Sequence, residues 1–231
     1  MLTDDKHALL RMAGNEELLI RADEFLATHN PKAHPALIVQ LRPTQDKPLA
    51  LDVESEAVRN HFAAGVEGDD GWWRSFKTYS QTKPTFHGFA TMSDPEKPTW
   101  ACEAHHDGHF IAGLWHFPAL VRDSQNVPAL ATFHAQFFKD FFSLAQSTLA
   151  VQESSIETEF KATAAIVGAR ALHFAVESRY GHDLQIRTAP LPQDNLQFPL
   201  YRIEPTQADW STVANRMARA LCGAYGVVAP A

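Results

Sequence analysis

Apolar positions along the chain switch between two periods, and those switches set the expected order of elements. Leu18, Leu19, Ala22, Phe25 and Leu26 fall at helical spacing. That predicts a helix capped by Asn15 and closed before Asn30-Pro31, because the residue ahead of a proline avoids helical angles. A shorter helix over 4–12 is expected before it. Residues 36–41 (ALIVQL) and 48–53 (PLALDV) read as two strands joined into a hairpin across 42–47. Residues 54–64 return to helical spacing through Val58 and Phe62, and GVEGDDG over 65–71 is a loop. A further strand is expected over 86–91, followed by the turn-rich SDPEKP at 93–98.

The sharpest local signal is Asp107-Gly108 between WACEAHH and HFIAGLW, a residue pair suited to a two-residue hairpin turn. Such a turn opposes His106 to His109, His105 to Phe110, Ala104 to Ile111, Cys102 to Gly113 and Trp100 to Trp115. One face then carries Trp100, Cys102, Ala104, Ile111 and Trp115, with His106 and His109 at its tip. The other carries Ala101, Glu103, His105, Phe110, Ala112 and Leu114.

Pro128 is placed to open a long helix whose broad apolar face includes Leu130, Phe133, Phe137, Phe138, Phe141, Leu144 and Leu149. Residues 156–167 and 171–176 read as a second hairpin around Gly168-Ala169-Arg170. Residues 195–203 read as an edge strand, since Pro199 cannot donate to a ladder. Thr206 to Asp209 resembles a capping box that starts a last helix lined by Trp210, Val213, Met217 and Leu221, ended by Gly223 or Gly226. The expected fold class is α+β, an antiparallel sheet built from hairpins and packed against a Phe-rich central helix and a C-terminal helix. One domain over 1–231 is expected, with 1–70 as a candidate N-terminal subdomain.

Composition narrows the function. The chain has 231 residues, 45% of them hydrophobic and 20% charged, values of a globular protein. Twenty Lys and Arg against 27 Asp and Glu leave a net charge of −7, which argues against gripping nucleic acid unaided. Cys102 and Cys222 are too few and too far apart for a disulfide framework, so a reduced, cytoplasmic protein is expected. Residues 1–15 lack the apolar core of an export signal, and no apolar run is long enough to span a bilayer, so no membrane partner is expected.

Twelve histidines are the compositional oddity. His105, His106, His109 and His116 cluster with Glu103 and Asp107. If His106 and His109 oppose each other across the turn, they lie close enough to share a divalent metal such as zinc, with His87 from the preceding strand as a third ligand. No HExxH or Cys-His spacing supports that site, and the plainer expectation is solvated histidines and no cofactor. The second constellation is aromatic. Trp72, Trp73, Phe76 and Tyr79, with Arg74, Lys77 and Lys83 nearby, suit either a partner- or ligand-binding platform or the closed end of a core. There is no GxSxG, and GVEGDDG lacks the lysine of a phosphate-binding loop.

The stretch FHGFATMSDPEKPTWACEAHHDGHFIAGL, a long helix and IETEFKATAAIVGARAL span about residues 86–176. This run resembles the region C-terminal to the Alba-type, Schlafen-like DNA- or ATP-binding module of bacterial proteins. There, a strand pair around an x-D-G-x turn is likewise followed by a helix and a glycine-containing hairpin. The resemblance implies a role near nucleotides or nucleic acid and carries over no functional residue. Taken together, the sequence favours a non-catalytic binding or regulatory protein acting through a protein partner or as a homodimer. The alternatives are a metal-dependent hydrolase using the hairpin histidines and an accessory protein in nucleic-acid transactions.

Overall fold

A computed structural model describes residues 16–44, 49–66, 75–78, 81–115, 127–152, 158–177, 184–186, 192–204 and 210–226. Its helices are α1 (Glu16–His29), α2 (Glu56–Ala64), α3 (Ala131–Val151) and α4 (Ser211–Ala224). The principal strands are β1 (Ala36–Pro43), β2 (Lys83–Pro84), β3 (Gly88–Met92), β4 (Trp100–His105) and β5 (Phe110–Leu114). After them come β6 (Val127–Leu130), β7 (Phe160–Val167), β8 (Leu172–Glu177), β9 (Leu184–Ile186), β10 (Asn195–Gln197) and β11 (Tyr201–Ile203).

Eight described strands form one sheet in the order β10-β7-β1-β5-β4-β3-β2, with β11 also on β7, and every pairing in it is antiparallel. A three-stranded sheet, β6-β8-β9, stands beside it. The fold class is α+β, as the hydrophobic pattern predicts.

The sheet is buried on both faces, and the two coverings are unequal. The face carrying Leu37, Val39, Leu41, Cys102, Ala104, Phe110, Ala112 and Leu114 lies in the main core with α2, α3 and α4. Phe137, Phe138, Phe141 and Phe142 supply much of that core from α3, matching the Phe-rich helix expected there. The opposite face carries Ala36, Ile38, Ala90, Ala101 and Ile111 and is covered by α1 through Ala22 and Phe25, with Trp115. Gly113 is the flat spot where α1 lands, since a Cβ there would lie 2.6 Å from Cε1 of Phe25.

Several expectations are corrected. Residues 49–53 form no strand, and β1 pairs with β5 and β7 instead. ALIVQL is apolar on both faces because β1 is central and doubly covered, the signature of an interior strand. Leu51 is buried in the main core and donates its N–H to the carbonyl of His106, at 2.9 Å. Pro128 lies in β6 rather than in a helix. It is tolerated there because β6 is the edge of its sheet. The second expected hairpin does not form. Gly168 turns left-handed (φ 73°), a 3-10 turn follows, and β8 pairs with β6 and β9 rather than with β7. The expected strand over 195–203 divides into β10 and β11 around Phe198-Pro199-Leu200, though both are edge segments on β7. Gly226, with φ 66°, follows the last helix, while Gly223 lies inside it. Asn15, the expected helix over 4–12 and the capping box over 206–209 lie outside the described residues.

The most consequential correction is the β4–β5 register. The ladder opposes Ala104 to Phe110, Glu103 to Ile111, Cys102 to Ala112 and Trp100 to Leu114, one residue away from the two-residue-turn expectation. His105 N–H donates to the carbonyl of His109 (2.9 Å) and Gly108 N–H to that of His105 (3.0 Å). With Gly108 left-handed at φ 74°, His106, Asp107 and Gly108 make a three-residue loop, the alternative open to a glycine at that position. Because side chains alternate along a strand, a slip of one residue moves every partner on β5 to the other face. Phe110, Ala112 and Leu114 therefore join Trp100 and Cys102 in the main core. Ile111 and His109 join Glu103 and His105 under α1.

Candidate functional site

The sheet face beneath α1 holds a buried polar cluster that follows from this register. Glu103 and His105 sit two apart on β4 and point the same way, and His29 comes down from the last turn of α1. All three are at least nine-tenths buried. Nε2 of His29 lies 2.7 Å from one Glu103 oxygen, and Nε2 of His105 lies 2.7 Å from the other. Burial pushes the Glu103 carboxyl up, but the hydrogen bonds it accepts from His105 and His29 outweigh it and lower the pKa from 4.5 to about 2. Glu103 is thus an ionised acceptor, and each imidazole carries its proton on Nε2. Nη1 of Arg21 stands 3.4 Å from Nδ1 of His105. Arginine only donates, so that nitrogen is the acceptor and the His105 tautomer is held from both sides.

Around this floor runs a second tier. Nη2 of Arg21 pairs with Asp107 at 3.3 Å. His87 sits in the turn before β3, with its Nε2 3.1 Å from Glu24 of α1. The His87 ring is stacked edge-on with Phe86 (4.8 Å) and tilted against His105 (5.1 Å). The space enclosed is a cleft of about 580 Å³ running over β3, between α1 and the β2–β3 turn. Ala90 makes its floor low. Phe25, Pro31, Met92 and Pro98 give it apolar sides, and Lys83 and Glu96 stand on its rim. That volume is in the range of ligand sites, as is a mostly apolar lining with a few fixed polar groups.

The sequence-derived site residues are distributed differently. His106 is exposed in the turn, and both its backbone N–H and its Nδ1 donate to the carbonyl of His87, at 2.9 and 2.8 Å. His109 is buried beside His105, ring centroids 5.0 Å apart, so it keeps company with His105 rather than His106. His87 lies next to both groups. Among the described residues no group of three or more His, Cys, Asp or Glu is arranged to hold a metal ion. Phe76 is fully buried, packed on Trp100, Phe137 and Phe141 in the main core. Trp72, Trp73, Tyr79 and His116 lie outside the described residues. Sequence reasoning missed Arg21, Glu24 and His29, whose place over the sheet follows from tertiary packing. The alternation of Glu103 and His105 along one strand was the available signal.

His109 carries its own prediction. Its Nε2 is buried without a hydrogen-bond partner among the described residues. Burial first, helped by the guanidinium charges of Arg21 and Arg42, holds its pKa well below 6.5. The unfolded chain binds this proton near pH 6.5 while the folded chain refuses it, so folding stability falls as pH drops below 6.5. The slope from this one group approaches about 1.4 kcal/mol per pH unit. His109→Phe keeps a ring against His105 and removes the proton. Urea unfolding measured on both sides of pH 6.5 should show the acid slope reduced in that variant, and an unchanged slope would place the titration elsewhere.

No protein-family model matches the chain, no curated protein matches it, and no solved structure matches it. The class is defined by the molecule itself: an α+β protein with a carboxylate–imidazole cleft between one helix and the end of its sheet. Among the described residues no helix is long and apolar enough to cross a membrane.

Proposed function

We propose that this is a binding protein and that the cleft over β3 is where it takes a segment of a protein partner. The observation that carries the reading is the pairing of a buried, hydrogen-bonded polar floor with an exposed aromatic at the mouth. Glu103 is clamped by two imidazoles, while Phe86 at the mouth is 94% exposed. Burying an ionised cluster costs desolvation that an apolar filling would avoid. A large aromatic left in water beside a recess is the kind of feature that marks an interaction site. A reducing, cytoplasmic setting fits this reading, since Cys102 and Cys222 are both free and buried.

The test is amide chemical-shift mapping of the labelled chain, titrated with short phenylalanine-containing peptides and small aromatic carboxylates and amines. Binding should shift resonances of Thr28, His87, Ala90 and Met92. Saturable shifts confined to another face would contradict the reading, and so would a monomeric chain in which no probe gives a saturable shift.

A further inference from the structure

The patch that contains the cleft also contains a group shaped to fill it. Phe86 projects from the β2–β3 turn, and the backbone on either side of it is tied down. Thr85 N–H donates to the carbonyl of Gly88 at 2.9 Å, and the His87 carbonyl accepts from the backbone N–H and the Nδ1 of His106. The ring is therefore presented on ordered backbone, which lowers the entropy lost when it docks. Immediately beside it is the recess over Ala90, walled by Phe25, Met92 and Pro98. A protrusion and a recess on one surface patch suit a two-fold interface, in which the same patch serves both copies.

The charges on the rim are also self-complementary. Lys83 is exposed and makes no ion pair among the described residues, and exposed Glu96 stands on the same rim. Two-fold pairing can bring the lysine of one copy to the glutamate of the other.

We propose that the partner is a second copy of this chain, each copy seating its Phe86 ring in the other's cleft. This rests on the cleft being the binding site and goes beyond it by naming the occupant. The same-chain contact completes the site, because the aromatic that fills it comes from the other copy.

Sedimentation velocity over a concentration series tests it, using the full chain, Phe86→Ser, Lys83→Glu and the exchanged pair Lys83→Glu/Glu96→Lys. All these positions are exposed, so folding is not at stake, and circular dichroism checks that. The expected result is a wild-type dimer, weakened about tenfold or more by Phe86→Ser. Lys83→Glu should weaken it less, and the exchanged pair should restore it. A wild-type chain that stays monomeric to its solubility limit overturns the proposal, and so does a dimer indifferent to Phe86→Ser. If the chain is monomeric and peptides still shift the cleft resonances, the choice of partner falls and the binding reading stands. If neither occurs, both fall.

Discussion

Glu103→Gln should destabilise the protein by about 2–4 kcal/mol, the scale for removing one member of a buried, hydrogen-bonded charge cluster. In a chain of this size that is a drop in Tm of roughly 5–15 °C. The glutamine carbonyl can still accept from one imidazole, but its NH2 then faces the N–H of the other. His105 does not escape cheaply. Moving the His105 proton to Nδ1 would point it at Arg21, whose Nη1 is 3.4 Å away. The pH dependence gives a second signature. The folded pKa of about 2 lies below 4.5, so the stability this carboxylate contributes is complete above about pH 4.5 and is lost as pH falls toward 2. Glu103→Gln should therefore be least different from wild type in acid. Thermal unfolding of both proteins across that range checks both statements, and a variant with wild-type Tm at neutral pH would show that the cluster is not formed as described.

Gly88→Ala should be comparably damaging, at about 3 kcal/mol, for a steric reason. A Cβ on Gly88 would lie 2.1 Å from the carbonyl oxygen of Ala104 and 3.0 Å from the Cα of His105. Both are backbone atoms, so no side chain can rotate away and β3 must part from β4 at the Gly88–His105 pair. That pair joins the floor of the cleft to the turn carrying Phe86 and His87. The loss should thus be local in structure as well as large in energy. Amide hydrogen exchange should rise in β2 and β3 while α3 and β7, held in the main core, keep their protection. Equal loss of protection throughout would mean the two faces of the sheet are not separable.

The division between what sequence reveals and what it hides follows the range of the interactions. α1, α2, α3 and α4 were legible because helical spacing of apolar residues is local, and the alternation of β7 was legible for the same reason. The strand partners were not. ALIVQL was read as one arm of a hairpin because sequence neighbours pair most often, but its lack of a polar face already marked a central strand. Asp107-Gly108 announced the β4–β5 turn correctly. Its loop length was ambiguous by one residue, and that ambiguity decided which histidines share a face. The pairing of His106 with His109 rested on that register and was replaced by His105 with His109. Phe76 illustrates the opposite limit: an aromatic beside two tryptophans looked available for binding, and the structure spends it on the core. His29 could not have been connected to Glu103 from sequence, because 74 positions separate them and only the docking of α1 on Gly113 brings them together.

The measurement that bears most directly on the account is the tautomeric state of His29 and His105, read from long-range proton–nitrogen correlations of the imidazole rings at neutral pH. The cleft floor described here requires both rings to carry their proton on Nε2, donating to an ionised Glu103, with Nδ1 of His105 unprotonated toward Arg21. Finding that pattern, and its loss in Glu103→Gln, would support a preorganised floor. A His105 ring protonated on Nδ1 alone, or a His29 ring in free exchange between tautomers, would contradict it.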